Sequence, residues 1–181
     1  MEEALAHRRS VRSFGRAHLA RMELSQLLWA AQGITSGWGA RTAPSAGALY
    51  PLDVYVATAE SYGHYLPDGH RLLARAEEDL RPALAAAAFR QDVVAEAPAV
   101  FAVTAVYERS AAKYGARAER YAKLEAGHVA QNILLEAVAL GLGAVAVGAF
   151  DDEAVQQALR LPSDHAPLYL VAVGAPSGEL R

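Results

Sequence analysis

Three arginines and two serines occupy seven consecutive positions, Arg8-Arg9-Ser10-Val11-Arg12-Ser13-Phe14. Guanidinium groups grip phosphate oxygens two at a time, and a neighbouring serine adds a hydroxyl or backbone donor, so the cluster suits a phosphate. A solvated basic face has the same composition, and both readings stay open here. A second stretch, Thr42-Ala43-Pro44-Ser45-Ala46-Gly47-Ala48-Leu49-Tyr50-Pro51, consists of small residues whose backbone can come close to a flat ligand. It also reads as a plain surface loop.

Other chemistries find less support. Ser45 does not sit in a G-x-S-x-G elbow, and no Ser/His/Asp arrangement is readable, which argues against nucleophilic hydrolysis. The chain has no cysteine, so disulfides, thiolate chemistry and Cys-containing zinc sites are excluded. His7, His18, His64, His70, His128 and His165 are scattered without metal-ligand spacing, and no metal is expected. The glycines of Gly141-Leu142-Gly143 and Gly148 follow a helix and open a strand, the reverse of the dinucleotide-binding order. Lys113-Tyr114, His128 and Arg181 have ordinary readings as exposed, buried and terminal residues.

The element that must position these groups is the stretch Glu125–Phe150, a long apolar helix that ends in glycine and runs into a strand. From Val129 to Leu142 only Gln131, Asn132 and Glu136 are polar, too much apolar circumference for a helix packed on one side. Glu125, His128, Asn132 and Glu136 form one narrow polar stripe. Gly141 and Gly143 stop the helix, and Ala144–Val147 reads as a buried strand.

Around it the pattern predicts helices at Glu2–Arg9, Glu23–Gln32, Glu77–Phe89, Gln91–Ala97 and Asp151–Leu161. Strands are predicted at Asp53–Thr58, Pro98–Val106 and Leu168–Val173, and Tyr62–Leu66 and Arg71–Arg75 flank a hairpin turn at Pro67-Asp68-Gly69. Gly33–Tyr50 reads as a long loop, and Tyr107–Arg120 as an irregular or mobile entry to the organising helix. Regular β-α-β alternation is missing. The expected class is therefore α+β, with a central mixed, largely antiparallel sheet flanked by helices in a single domain, 1–181.

With 181 residues, a formal net charge of −3 and a pI near 6.1, nothing favours nucleic acid or an anionic membrane as partner. The N-terminus lacks a signal-peptide core and no apolar run reaches spanning length, so a cytoplasmic protein is expected. Only Lys113 and Lys123 among the 17 basic residues are lysine, a bias that a GC-rich genome explains as well as anion binding does.

Taken in order, four blocks resemble the FMN-dependent nitroreductase family, and within it the SagB-type dehydrogenase branch. They are Arg8–Phe14, Pro44-Ser45-Ala46-Gly47-Ala48-Leu49-Tyr50-Pro51, Glu125-Ala126-Gly127-His128-Val129-Ala130-Gln131-Asn132, and Gly141-Leu142-Gly143 continuing to Val147-Gly148-Ala149-Phe150; Val173-Gly174-Ala175-Pro176 follows near the end. The resemblance implies a nitroreductase-like homodimer with the long helix at the interface and FMN bound there. It implies that Arg8, Ser10 and Arg12, with Arg9, grip the phosphate, ribityl chain and pyrimidine edge. Pro44, Ser45 and Ala46 of the partner subunit, with Gly47, would line the ring. The backbone of Gly143, Ala144, Val145, Val147, Gly148 and Ala149 would pass along it, and Arg181 would add a basic phosphate contact.

FMN needs cations for its phosphate and a flat apolar slot for its ring, which these residue types supply. The implied activity is ping-pong hydride transfer from NAD(P)H or an azoline-like small molecule to an acceptor. Ala48 stands where nitroaromatic-reducing members commonly have asparagine, which points to the SagB-type branch. There Lys113-Tyr114 falls where azoline oxidation uses a base and a hydrogen-bond donor. The alternatives are a flavin-binding module without turnover and a cofactor-free interaction domain.

Overall fold

The computed structural model describes residues 1–15 and 18–178. Local signals set most elements. Helix α1 (Glu2–His7) has Glu2 and Glu3 in its first turn and His7 in its last, matching the helix dipole. Helix α2 (Arg21–Gln32) is capped when the Glu23 carboxylate accepts the Ala20 N–H at 2.7 Å. Strands β1 (Leu52–Thr58), β2 (Tyr62–Leu66) and β3 (Arg71–Ala76) form an antiparallel meander whose second turn is the Pro67–His70 segment.

Helix α3 (Arg81–Ala87) is shorter than its alanine content suggests. Asp79 accepts from the Arg81 backbone N–H at 3.0 Å, fixing the start there, and Phe89 and Arg90 both take positive φ just beyond its end. Helix α4 (Asp92–Glu96) leads into β4 (Ala99–Ala105), which is buried at every position as a strand covered on both faces must be.

Tyr107–Arg120 is not the irregular entry expected. Helix α5 (Glu108–Tyr114) and a short 3-10 turn at Gly115–Arg117 fill it. Mixed charges concealed the helix, because its anchor lies elsewhere in the chain: Arg109 donates to Asp53 of β1 at 2.7 Å.

Helix α6 (Ala118–Ala139) is the 22-residue axis and begins before the predicted start. It ends in a Schellman arrangement: Leu142 N–H donates to Ala137 O at 2.7 Å and Gly141 N–H to Val138 O at 3.0 Å, with Gly141 at φ +72°. Strand β5 (Gly143–Val147), helix α7 (Asp152–Ala158) and strand β6 (Ala166–Gly174) complete the order; the Asp151 carboxylate caps α7 by accepting the Ala154 N–H at 2.8 Å.

The sheet runs β3-β2-β1-β4-β6-β5 and every strand pairing in it is antiparallel. On one face α2 and α6 pack over Leu52, Val54, Phe101, Val103 and Val171; α3, α4 and α7 cover Val100, Ala102, Val145 and Leu170 on the other. The inner side of α6 is Ala122, Ala126, Val129, Ala130, Ile133 and Ala137, and its alanines bring the helix axis close to the sheet. Part of its remaining apolar surface is open: Leu124 is 56% exposed. Among the described residues, no helix is long and apolar enough to cross a membrane.

Candidate functional site

The arginine segment is strapped across the end of β5 and the tail of β6. Val11 N–H donates to Ala144 O at 3.1 Å, and Ser10 forms a parallel bridge with Ala144. Further along, Gly15 N–H donates to Ala175 O at 2.9 Å and Ser177 N–H to Ser13 O at 3.1 Å. The strap lies so close that a Cβ on Gly143 would meet Val11 at 2.7 Å, which is why that position has no side chain.

On this strap Arg9 turns back to donate to Ala6 O and Arg8 O, each at 2.9 Å. Arg12 reaches Ser10 O at 3.4 Å, and Arg8 is half-buried. Among the described residues no carboxylate lies within ion-pair distance of Arg8, Arg9 or Arg12. Three cations are thus gathered in five positions with no compensating carboxylate among the described residues, an arrangement that favours an anion. Along β5 Ala144 sends its side chain into one core and Val145 and Val147 theirs into the other, while Gly148 and Ala149, past the far end of the strand, are exposed. Arg181 lies outside the described residues.

The Pro44–Gly47 turn is built differently. Gly47, Ala48 and Tyr50 take φ of +64°, +55° and +48°, and the Ser45 hydroxyl oxygen accepts the Tyr50 N–H at 2.9 Å. The Ala46 N–H donates at 2.7 Å to Glu125 of α6, whose side chain is almost wholly buried. Burial pushes the Glu125 carboxyl up, with the Ala46 N–H and the Ser45 hydroxyl acting in the opposite direction.

Over this turn lie Lys113 and Tyr114 from the end of α5. A Cβ on Gly47 would stand 2.7 Å from Lys113 Nζ and 2.7 Å from Tyr114 OH, so the amine and the phenol converge on the one turn position without a side chain. Tyr121 packs edge-on against Tyr114 at 5.0 Å. The structure therefore groups Pro44, Ser45, Ala46 and Gly47 with Lys113 and Tyr114, and groups Arg8, Arg9, Ser10 and Arg12 with Gly143 and Ala144. It does not bring the two groups together within one chain. Glu125 lies near the start of α6 and the strap beyond its end, separated by about 21 Å of helix at 1.5 Å per residue.

Two contributors were not legible as site residues. Glu125 carried one signal, its place at the head of the polar stripe that continues through His128, Asn132 and Glu136. The other is the anchor of α5 at Asp53, which Arg109 contacts at 2.7 Å and His165 Nε2 at 3.2 Å. His64 Nε2 faces it at 3.4 Å, too poorly aligned for a strong hydrogen bond, with its ring stacked on Tyr55 at 4.4 Å. Burial would raise the Asp53 carboxyl, yet His64 and Arg109 outweigh it and hold the group well below the usual carboxylate range.

The Nitroreductase family model matches residues 5–175 of this chain. A protein of Methanocaldococcus jannaschii that carries the nitroreductase name is 42% identical over 180 residues, covering 96% of this chain and 90% of that one. A Ralstonia eutropha crystal structure, titled as a nitroreductase, superimposes with a TM-score of 0.89 at 31% identity, covering 98% of this chain and 83% of that one. The NADPH:FMN oxidoreductase of Vibrio harveyi, solved with NAD+, shares the fold with a TM-score of 0.73 at 22% identity, over 98% of this chain and 69% of that one.

Proposed function

Since this chain belongs to the nitroreductase family of oxidoreductases, we propose that it is an FMN-dependent member, working as a homodimer on NAD(P)H or an azoline-like donor. The observation that carries the reading is the strap: three guanidiniums, none with a carboxylate partner among the described residues, held where Val11 N–H donates to Ala144 O of β5. These residues fit the cofactor. Arg8, Ser10 and Arg12 would take its phosphate and polar edge, and the exposed backbone of Gly148 and Ala149 would admit a flat ring. Arg9, engaged with the carbonyls at the end of α1, contributes charge more than contact.

The separation along α6 supports the homodimer. A strap and a turn at opposite ends of one helix complete a site when a second, two-fold related copy presents its turn to the first copy's strap. When bound, FMN would supply the hydride chemistry, accepting from a donor and passing to an acceptor in alternation. The protein's tasks are to neutralise the phosphate, hold the ring flat and manage a proton at the substrate. For the last, Lys113 Nζ and Tyr114 OH are the candidates, because both are aimed at the turn: an amine that can take a proton and a phenol that can donate a hydrogen bond. This pair supports assignment to the SagB-type branch.

Visible absorption of the purified protein with gel filtration tests the reading. A yellow dimer releasing about one FMN per chain, and oxidising NAD(P)H with a quinone or nitroaromatic acceptor, is expected. A colourless monomer that takes up no added FMN would overturn it. Lys113→Ala with undiminished turnover on an azoline substrate would remove the branch assignment while leaving the flavin site intact.

A further inference from the structure

Away from the strap and the Gly47 turn, a cavity of about 150 Å³ opens between the first turns of α2 and the β2–β3 hairpin. Arg21, Ser25, His70 and Arg71, with Tyr65, supply its polar lining, and Leu24, Leu28 and Leu72 its apolar wall. We propose that this cavity is a binding site for a small tetrahedral oxyanion, inorganic phosphate or the phosphate of a small monoester, held by Arg21, Arg71 and the Ser25 hydroxyl.

The hairpin turn holds His70 at φ +49°, a conformation that non-glycine residues seldom adopt. There its two ring nitrogens are both engaged: Nε2 lies 2.7 Å from Ser25 Oγ and Nδ1 lies 2.8 Å from Tyr65 OH. Tyr65 is buried, and burial pushes its phenol above the ordinary value, so the proton stays on the oxygen. In the proposed site Tyr65 O–H donates to Nδ1 of the neutral ring. The ring hydrogen is then on Nε2 and is donated to Ser25 Oγ, leaving the serine's own hydroxyl hydrogen free for the cavity. The same direction argues against Ser25 as a nucleophile, which would need the Nε2 lone pair facing it.

Charge completes the site. Among the described residues neither Arg21 nor Arg71 has a carboxylate within ion-pair distance. Arg71 folds back over the turn, its Nε 3.4 Å from Asp68 O, which leaves its terminal N–H groups for a ligand. The acid next to Arg21 in the first turn, Glu23, is taken up by the Ala20 N–H at 2.7 Å. Two cations and an oriented hydroxyl beside a leucine wall suit a phosphate with a short organic substituent better than a bare planar anion.

The test is calorimetric titration of inorganic phosphate, and separately phenyl phosphate, into the protein carrying Arg8→Ala, Arg9→Ala and Arg12→Ala, so that these strap arginines cannot contribute. Saturable one-to-one binding is expected, weakened about tenfold or more by Arg21→Gln with Arg71→Gln and less by Ser25→Ala. Tighter binding of phenyl phosphate identifies a monoester as the ligand, and equal binding identifies free phosphate. Circular dichroism melts confirm that each variant is folded. Binding that does not saturate, or that survives the double arginine change, overturns the proposal. So does hydrolysis of p-nitrophenyl acetate that depends on Ser25, since it would require the opposite proton direction. Flavin content plays no part in these outcomes.

Discussion

Replacing Asp53 by Asn removes the charge that holds α5, and with it Lys113 and Tyr114, against the sheet. Asp53 is 13% exposed in its side chain and Arg109 is 40% exposed, so the pair is neither fully solvated nor fully buried. A charge-assisted hydrogen bond contributes roughly 1.5–3 kcal/mol, and the exposure of Arg109 places this one at the lower end. The contact at 3.2 Å to His165 adds a smaller amount. Asn keeps the shape and an acceptor oxygen, so the expected loss at pH 7 is about 2 kcal/mol, or roughly 4–8 °C in melting temperature.

The pH dependence separates this account from simple loss of packing. The carboxyl is held below its ordinary value of 3.8 in the folded state, so its contribution is complete above the unfolded carboxyl's pKa. It is lost as pH falls through the lower folded value. The gap between wild type and Asp53→Asn should therefore narrow below about pH 4. Urea denaturation at fixed protein concentration, followed by circular dichroism, measures it. A gap under about 0.5 kcal/mol at pH 7, or one undiminished at pH 3, refutes the reasoning.

Gly143→Val should push the strap off β5, since its Cβ would meet Val11 at 2.7 Å, and should lower FMN affinity about tenfold. Adding Val11→Ala should restore most of that loss, and an FMN titration of both variants checks it. Gly47→Ala puts a methyl 2.7 Å from Lys113 Nζ and Tyr114 OH at φ +64°; kcat should fall severalfold while the protein stays folded, because both neighbours are ends of flexible side chains. Ile133→Ala, at a fully buried position of α6, should destabilise by about 3 kcal/mol in urea with bound FMN spectrally unchanged.

Chain-local chemistry determined a good deal. Periodicity located α2 and α6, the Asp151 cap and the acids after it located α7, the Pro67-Asp68-Gly69 turn located the hairpin, and unbroken apolarity marked β4 as central. Residue types in Arg8–Phe14 and Thr42–Pro51 marked two segments able to meet an anion and a flat ring. Each signal depends on neighbours a few positions apart, which is the range over which backbone propensity and helix or strand periodicity act.

Only the tertiary structure decided who faces whom. Ala46 meets Glu125 across 79 positions, Arg109 meets Asp53 across 56, and His70 meets Ser25 across 45. The helix α5 belongs here too: with mixed charges and no apolar stripe of its own, it is held by the distant Asp53 carboxylate, so its sequence read as irregular. The strap on β5 and the turn over Glu125 became distinct places for the same reason. A hydrogen bond or ion pair between remote segments exists only after the sheet order β3-β2-β1-β4-β6-β5 and the packing of α6 have brought them together, and no local pattern encodes that order.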